Sequence, residues 1–216
     1  MIKQDLQRIY KKLYRHFGPQ HWWPARTRIE VIIGTVLTQN TAWTNVEKAI
    51  RNLRRHKLLS LKRLRALNTQ QLAYIIKPAG YFNIKAKRLK NVLDFFYRQY
   101  QGNIQNARRV KAVLLREQLL SVNGIGPETA DSILLYALDM PSFVIDAYTK
   151  RVFSRLGLLS VNTSYESAQA RFMNNLPSSR KLFNEFHALI VKAGKEYCKK
   201  KKPRCHECPL QSECYD

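Results

Sequence analysis

The chain has 216 residues, long enough to bury a hydrophobic core, and its 45% hydrophobic and 11% aromatic content excludes the disordered class. Thirty-eight Lys+Arg against fifteen Asp+Glu give a formal charge of +23, which costs self-repulsion and points to a polyanionic partner, nucleic acid first. No apolar run approaches the ~20 residues that span a bilayer and the charged N-terminus lacks a signal-peptide core, so a cytoplasmic, nucleoid-associated monomer without membrane contact is expected.

Helical periodicity dominates from the first residues. Amphipathic patterns run over Asp5 to Phe17 and then over "RIEVIIGTVL", where Ile29, Ile32, Ile33 and Val36 fall at i, i+3, i+4 and i+7 and predict a core-facing helix. Further helices are predicted over Asn45 to Leu53, Ile84 to Tyr97 and Val110 to Leu120. The segment "ETADSILLYA" repeats the core-facing spacing through Ala130, Ile133, Leu134 and Ala137. Ala147 to Leu156, Glu166 to Asn175 and Lys181 to Ala193 complete an all-α expectation of about ten helices. Short turn clusters such as "GPQHWWPA", "KPAGYFN" and "NLPSS" separate them, with no low-complexity linker and no internal repeat.

The sharpest local pattern is "LLSVNGIGPETADSILLYA", Leu119 to Ala137: a helix end, a Gly-Ile-Gly turn, then Pro127 where a second helix takes its first residue. This is a helix-hairpin-helix. Glycines at 124 and 126 permit positive φ and close approach of a phosphate, and the amides opening the next helix receive an anion, so Gly124, Ile125, Gly126 and Thr129 are candidate DNA-backbone contacts. Lys85, Lys87, Arg88 and Lys90 are candidate phosphate ligands on an amphipathic helix.

All four cysteines close the chain in "EYCKKKKPRCHECPLQSEC", as Cys198, Cys205, Cys208 and Cys214 with the spacing C-x6-C-x2-C-x5-C. In a reducing compartment such thiols serve as metal ligands or nucleophiles rather than disulfides, and spacing alone admits tetrahedral zinc or a [4Fe–4S] cluster.

The order of "GIGPETA", the apolar "FVID" ending in Asp146, an Arg-containing helix and the cysteine loop resembles the helix-hairpin-helix DNA glycosylases of the endonuclease III superfamily. The resemblance spans nearly the whole chain, from "VIIGTVLTQNT" to the last cysteine. "HWWPA", "LTQNT" and "KPAGYFNIKAKRLK" are similar to the 3-methyladenine glycosylase branch. The family implies two all-α lobes with DNA in the cleft between them: a central lobe over 27–139, and a second of 1–26 plus 140–216 that carries a C-terminal [4Fe–4S] loop. It makes the cluster the expected cofactor, with Lys200 and Arg204 of that loop on DNA. Glu128 stands where members that also cleave the backbone carry a lysine, so the resemblance implies a monofunctional glycosylase without strong AP-lyase activity.

Flipping a base into a pocket calls for aromatic walls, and Trp22, Trp23, Pro24, Trp43 and Tyr81 are the candidates. The resemblance implies that Gln39 and Asn40 stand at positions that in the family face the pocket or fill the space of the flipped base, and Glu128 is a candidate of the same set. Asp146 is the expected catalytic carboxylate, stabilising the charge that develops on the sugar and orienting water; it also suits an N-cap. The substrate expected is damaged duplex DNA, an N-alkylated purine such as 3-methyladenine first. Uracil, mispaired thymine or an oxidised pyrimidine stays open, as does a non-catalytic DNA-binding module.

Overall fold

In a computed structural model that describes residues 2–214, the chain is helical, with no strand among the described residues. The α-helices are α1 (Ile2–Phe17), α2 (Arg28–Leu37), α3 (Trp43–Arg55), α4 (Leu61–Ala66), α5 (Thr69–Ile75) and α6 (Phe82–Tyr100). They continue as α7 (Ile104–Ala107), α8 (Ala112–Leu120), α9 (Pro127–Ser132), α10 (Ala147–Arg155), α11 (Tyr165–Met173) and α12 (Arg180–Glu196). The all-α expectation is met. The pattern over "ETADSILLYA" is one continuous helix in sequence but two states in space: α9 gives way at Ile133–Ala137 to a wider π turn, where Leu138 N–H reaches the Ile133 carbonyl at 3.1 Å.

Two compact units divide the chain, which passes between them at Pro24–Ala25 and Met140–Pro141. One comprises Ala25–Met140. Its centre is α2, where every residue from Ile29 to Leu37 is buried, not only the predicted apolar stripe. Helix α6, the π turn and α3 cover it. Thr27 caps α2 by accepting the Glu30 N–H at 3.3 Å, and Asn68 and Gln71 form a reciprocal capping box on α5. Buried Glu30 accepts from Arg54, and buried Asp131 takes a bidentate bond from Arg116 at 2.9 and 3.0 Å. The second pair ties α8 to α9 across the hairpin.

The other unit is Met1–Pro24 with Pro141–Asp216. Its core is aromatic: Phe143 stacks on Phe172 at 4.1 Å, and Phe153, Phe183 and Phe186 meet these rings edge-on. Helix α12 crosses α10 and α1. The α10–α12 crossing is tight at Gly194, where a Cβ would stand 2.6 Å from Tyr148 Cδ1 and 3.1 Å from its Cβ. Rotating the Tyr148 ring would not fully relieve this contact, because its Cβ, which such rotation leaves in place, is itself 3.1 Å away.

Alanine raises intrinsic helix propensity over glycine by about 1 kcal/mol, but overpacking a fixed contact costs about 1–3 kcal/mol. Gly194→Ala is therefore expected to lower the urea midpoint with an unchanged m-value, whereas propensity alone would raise it.

Candidate active site and nucleic-acid interface

In the unit Ala25–Met140, the hairpin turn is braced from behind. Gly124 adopts φ 91°, and a Cβ there would collide with the Arg88 side chain, so this glycine is required both by conformation and by packing. Gly126 corrects the sequence reading: its φ is −94°, extended backbone open to any residue, with nothing within 4 Å of a Cβ. It leaves space for an approaching group instead of supplying a left-handed turn. Ile125 is buried and anchors the turn, while Pro127 opens α9 with exposed Glu128 beside it.

Gln39 follows α2 and lies against this turn. Its amide Nε2 donates to the Gly124 carbonyl at 3.2 Å and to Thr129 Oγ1 at 3.0 Å, and its Oε1 accepts from Arg88 Nη1 at 2.6 Å. Gln39, Arg88, Gly124 and Thr129 are thus brought together, with the Gln39 amide spent on the hairpin rather than offered outward. Asn40 is exposed, and Trp43 is half-buried with its indole N–H on Glu47 Oε1 at 2.9 Å. Tyr81 is 72% exposed, in a left-handed conformation at φ 46° just before α6.

The basic run on α6 separates by helix face. Lys87 is exposed and free to meet a phosphate. Lys85 is not: it is buried, and its Nζ donates to the Leu37 carbonyl at 2.9 Å and the Ala79 carbonyl at 2.7 Å. It closes the C-terminal end of α2, which corrects its assignment as a phosphate ligand. Lys90 likewise donates to the carbonyls of Arg65 and Leu67 at 2.6 and 2.8 Å. Both lysines serve carbonyl groups of neighbouring turns that needed donors, Lys85 from a buried position and Lys90 from a half-buried one. Burial, with a smaller contribution from Arg88, pushes the Lys85 ammonium down to about 8.

In the other unit, Asp146 is the N-cap of α10. Its Oδ1 accepts from Thr149 N–H at 2.7 Å and Thr149 Oγ1 at 2.9 Å. Oδ2 faces His187 Nε2 of α12 at 3.7 Å, and the carboxylate keeps 14% exposure. Among the described residues no lysine or arginine pairs with it. Burial depresses the His187 pKa and the Asp146 charge opposes that more weakly. Trp22 and Trp23, joined by a cis peptide bond, hold their rings 5.4 Å apart at 63°, half-buried, with Pro24 exposed beside them. Lys195 Nζ lies 5.8 Å from the Trp22 ring and 5.9 Å from the Tyr148 ring.

The C-terminal loop is gripped by α10 and α1. Arg151 Nε donates to the Cys198 carbonyl at 2.7 Å, and Arg155 Nη1 reaches Cys198 Sγ at 3.2 Å. Glu213 pairs with Arg8 at 2.9 Å and Lys12 at 2.5 Å, and Leu210 is buried. Cys198 and Cys208 are half-buried, and Cys205 and Cys214 exposed. Burial, then the neighbouring thiols, pushes the Cys208 and Cys214 pKa values up. Among the described residues, no three His, Cys, Asp or Glu side chains form a group that could hold a metal ion. Lys200 is exposed, but Arg204 is engaged by Glu207 and lies 5.6 Å from the Tyr197 ring, so its guanidinium is already committed within the loop.

Sequence reasoning missed His187, Lys195, Arg151 and Arg155. His187 carried a usable signal, a titratable residue on the apolar stripe of α12 between Phe183 and Ile190; the others look like ordinary surface charges.

The sequence profile described as HhH-GPD superfamily base excision DNA repair protein matches residues 33–178. A candidate DNA repair glycosylase of Methanocaldococcus jannaschii is 48% identical over 97% of this chain and 95% of its own length. Among solved structures, a non-covalent endonuclease III–DNA complex superposes with a TM-score of 0.83 at 22% identity, covering 98% of this chain and 94% of that one. The Helicobacter pylori 3-methyladenine DNA glycosylase bound to 1,N6-ethenoadenine gives 0.75 at 28% identity, covering 90% and 96%. No helix among the described residues is long and apolar enough to cross a membrane.

Lys85 provides a direct check of this geometry. Its ammonium binds the proton less tightly when folded, about 8 against an ordinary 10.5, so between those values the unfolded chain holds more protons and stability rises with pH. A neutral amine keeps two N–H groups for its two carbonyls, so the bonds survive deprotonation. Lys85→Met is expected to remove that rise, on the order of 3 kcal/mol at most, from denaturation curves between pH 8 and 10.5. It should leave the salt slope of DNA binding unchanged, whereas Lys87→Ala lowers it by about 1.

Proposed function

Because this chain belongs to the HhH-GPD superfamily of base excision DNA repair proteins and is a DNA glycosylase of that family, we propose that it works as a monofunctional enzyme on damaged duplex DNA. It turns a damaged base out of the helix and hydrolyses the N-glycosidic bond with water as nucleophile. The observation that carries this reading is Asp146, a carboxylate on a helix N-terminus with which, among the described residues, no lysine or arginine pairs in a chain of formal charge +23. As the C1′–N bond breaks, positive charge develops on the sugar. Asp146 stabilises that charge and orients or deprotonates the attacking water. The absence of a lysine at Glu128 supports water over an amine nucleophile.

DNA enters through the backbone of the hairpin turn, whose Gly126 side is open, and through exposed lysines such as Lys87 and Lys200. The favoured substrate is an N-alkylated purine, read by the Trp22–Trp23 pair; the likeness to a 3-methyladenine glycosylase at 28% identity supports this choice. One observation favours a second reading. Lys195 stations its ammonium 5.8 Å from the Trp22 ring, where it competes with a cationic base, so a neutral base such as uracil, mispaired thymine or an oxidised pyrimidine suits that wall better.

The C-terminal loop suits a [4Fe–4S] cluster by donor type, with four thiols near enough for their charges to interact and one accepting an N–H bond from Arg155. The thiols are not gathered into a ligand set in this structure and would have to close around the cluster. Cys198, Cys205, Cys208 and Cys214 would hold it, with zinc the alternative ion. The cluster would cross-link the loop and supply no base-releasing chemistry. Raised thiol pKa values at Cys208 and Cys214 mean that loading releases protons.

On duplexes each carrying one lesion, the wild type is expected to release base, N-alkylated purine fastest. Asp146→Asn should bind the same duplex yet release base at least about 100-fold more slowly, and borohydride should trap no adduct. Release at the wild-type rate by Asp146→Asn would overturn the catalytic role of Asp146, and no release by the wild type from any of the duplexes would leave the chain a binding module. Anaerobically purified protein is expected to carry iron near four per chain with visible absorbance; zinc with a colourless protein reverses the metal assignment.

A further inference from the structure

We propose that His187 is a positioning residue for Asp146, its imidazole N–H steadying Oδ2 in the orientation from which the carboxylate acts without neutralising its charge. The inference rests on the reading of Asp146 as the catalytic carboxylate and adds to it a residue on a different helix.

The two oxygens of Asp146 are in different situations. Oδ1 is held by both donors of Thr149, at 2.7 and 2.9 Å, which is the helix-capping role. Oδ2 is the oxygen left for chemistry, and His187 Nε2 stands 3.7 Å from it. That distance is long for a hydrogen bond; it closes, or takes one bridging water, when the site tightens on substrate. His187 itself has little freedom. Its side chain is 7% exposed, and its ring meets Phe143 edge-on at 6.5 Å within the aromatic core.

The chemistry of the donor matters as much as its place. Asp131, Asp94 and Asp139 are each paired with arginine, whose full positive charge sits directly against the carboxylate. Such a partner on Asp146 would offset the charge the reaction needs. An imidazole whose burial outweighs the pull of Asp146 stays uncharged near neutral pH. Facing an anionic oxygen, the tautomer with hydrogen on Nε2 is favoured, since the other would set a lone pair against Oδ2. His187 thereby supplies direction without a full positive charge.

The test compares single-turnover base release and lesion-duplex affinity for wild type, Asp146→Asn, His187→Gln and His187→Leu, with melting temperatures for each. Glutamine retains a side-chain N–H; leucine keeps volume and removes the donor. His187→Leu should slow base release by about 10–100-fold with affinity within twofold of wild type, and His187→Gln should recover most of that loss. Should leucine not fold, His187→Met takes its place with the same expectation. Wild-type rates for the donorless variant, alongside a slow Asp146→Asn, would overturn the role of His187 alone. Equal slowing by glutamine and leucine in step with lowered melting temperatures would make His187 a packing residue and also overturn it. A wild-type rate for Asp146→Asn would remove both this inference and the catalytic reading beneath it.

Discussion

The structure is organised around a shortage of acid. With thirty-eight Lys+Arg and fifteen Asp+Glu, any carboxylate near the surface is surrounded by candidate partners. Several are taken: Asp139 by Arg28 and Arg108, Glu30 by Arg54, Asp131 by Arg116, Asp94 by Arg65, Glu213 by Arg8 and Lys12, Glu207 by Arg204. These pairs clamp helix to helix and loop to helix. Asp146 is an instructive contrast to these pairs. Its Oδ1 accepts from Thr149 and its Oδ2 faces a buried imidazole, and among the described residues no lysine or arginine pairs with it.

The same economy governs the cations. Lys85 and Lys90 turn inward to carbonyls at helix ends, Arg88 to Gln39, and Arg151 and Arg155 to the Cys198 turn. A rigid hairpin turn results, held by Gln39 and by the Arg88 stem packed on Gly124. The cysteine loop is likewise anchored before any metal is considered, through buried Leu210 and the Glu213 pairs to α1. Helix α10 carries both ends of this arrangement, Asp146 at its N-terminus and Arg155 at its last turn.

Much of the fold was legible because its signals are local. The 3.6-residue spacing of Ile29, Ile32, Ile33 and Val36, the Gly-Ile-Gly-Pro turn and the N-capping acid before Ala147 each act within a few residues. They survived intact in α2, the hairpin and α10. What failed to transfer was the direction and engagement of side chains. Lys85 and Lys87 are two residues apart and look alike in sequence, yet one is buried and the other exposed. Gln39 read as an outward-facing amide and is bonded across 85 and 90 residues of chain. Gly124 and Gly126 looked equivalent, and only the first requires positive φ.

By itself, the sequence determined the helical class, the hairpin, the cysteine spacing and the acid that opens α10, since periodicity, turn chemistry and capping depend on neighbours along the chain. Only the tertiary structure decided which of many similar charges are free. A residue's partner is set by which helices cross, and that is why His187 at the back of Asp146, Arg88 behind Gly124 and the carbonyls awaiting Lys85 were invisible until α12, α6 and α2 were packed.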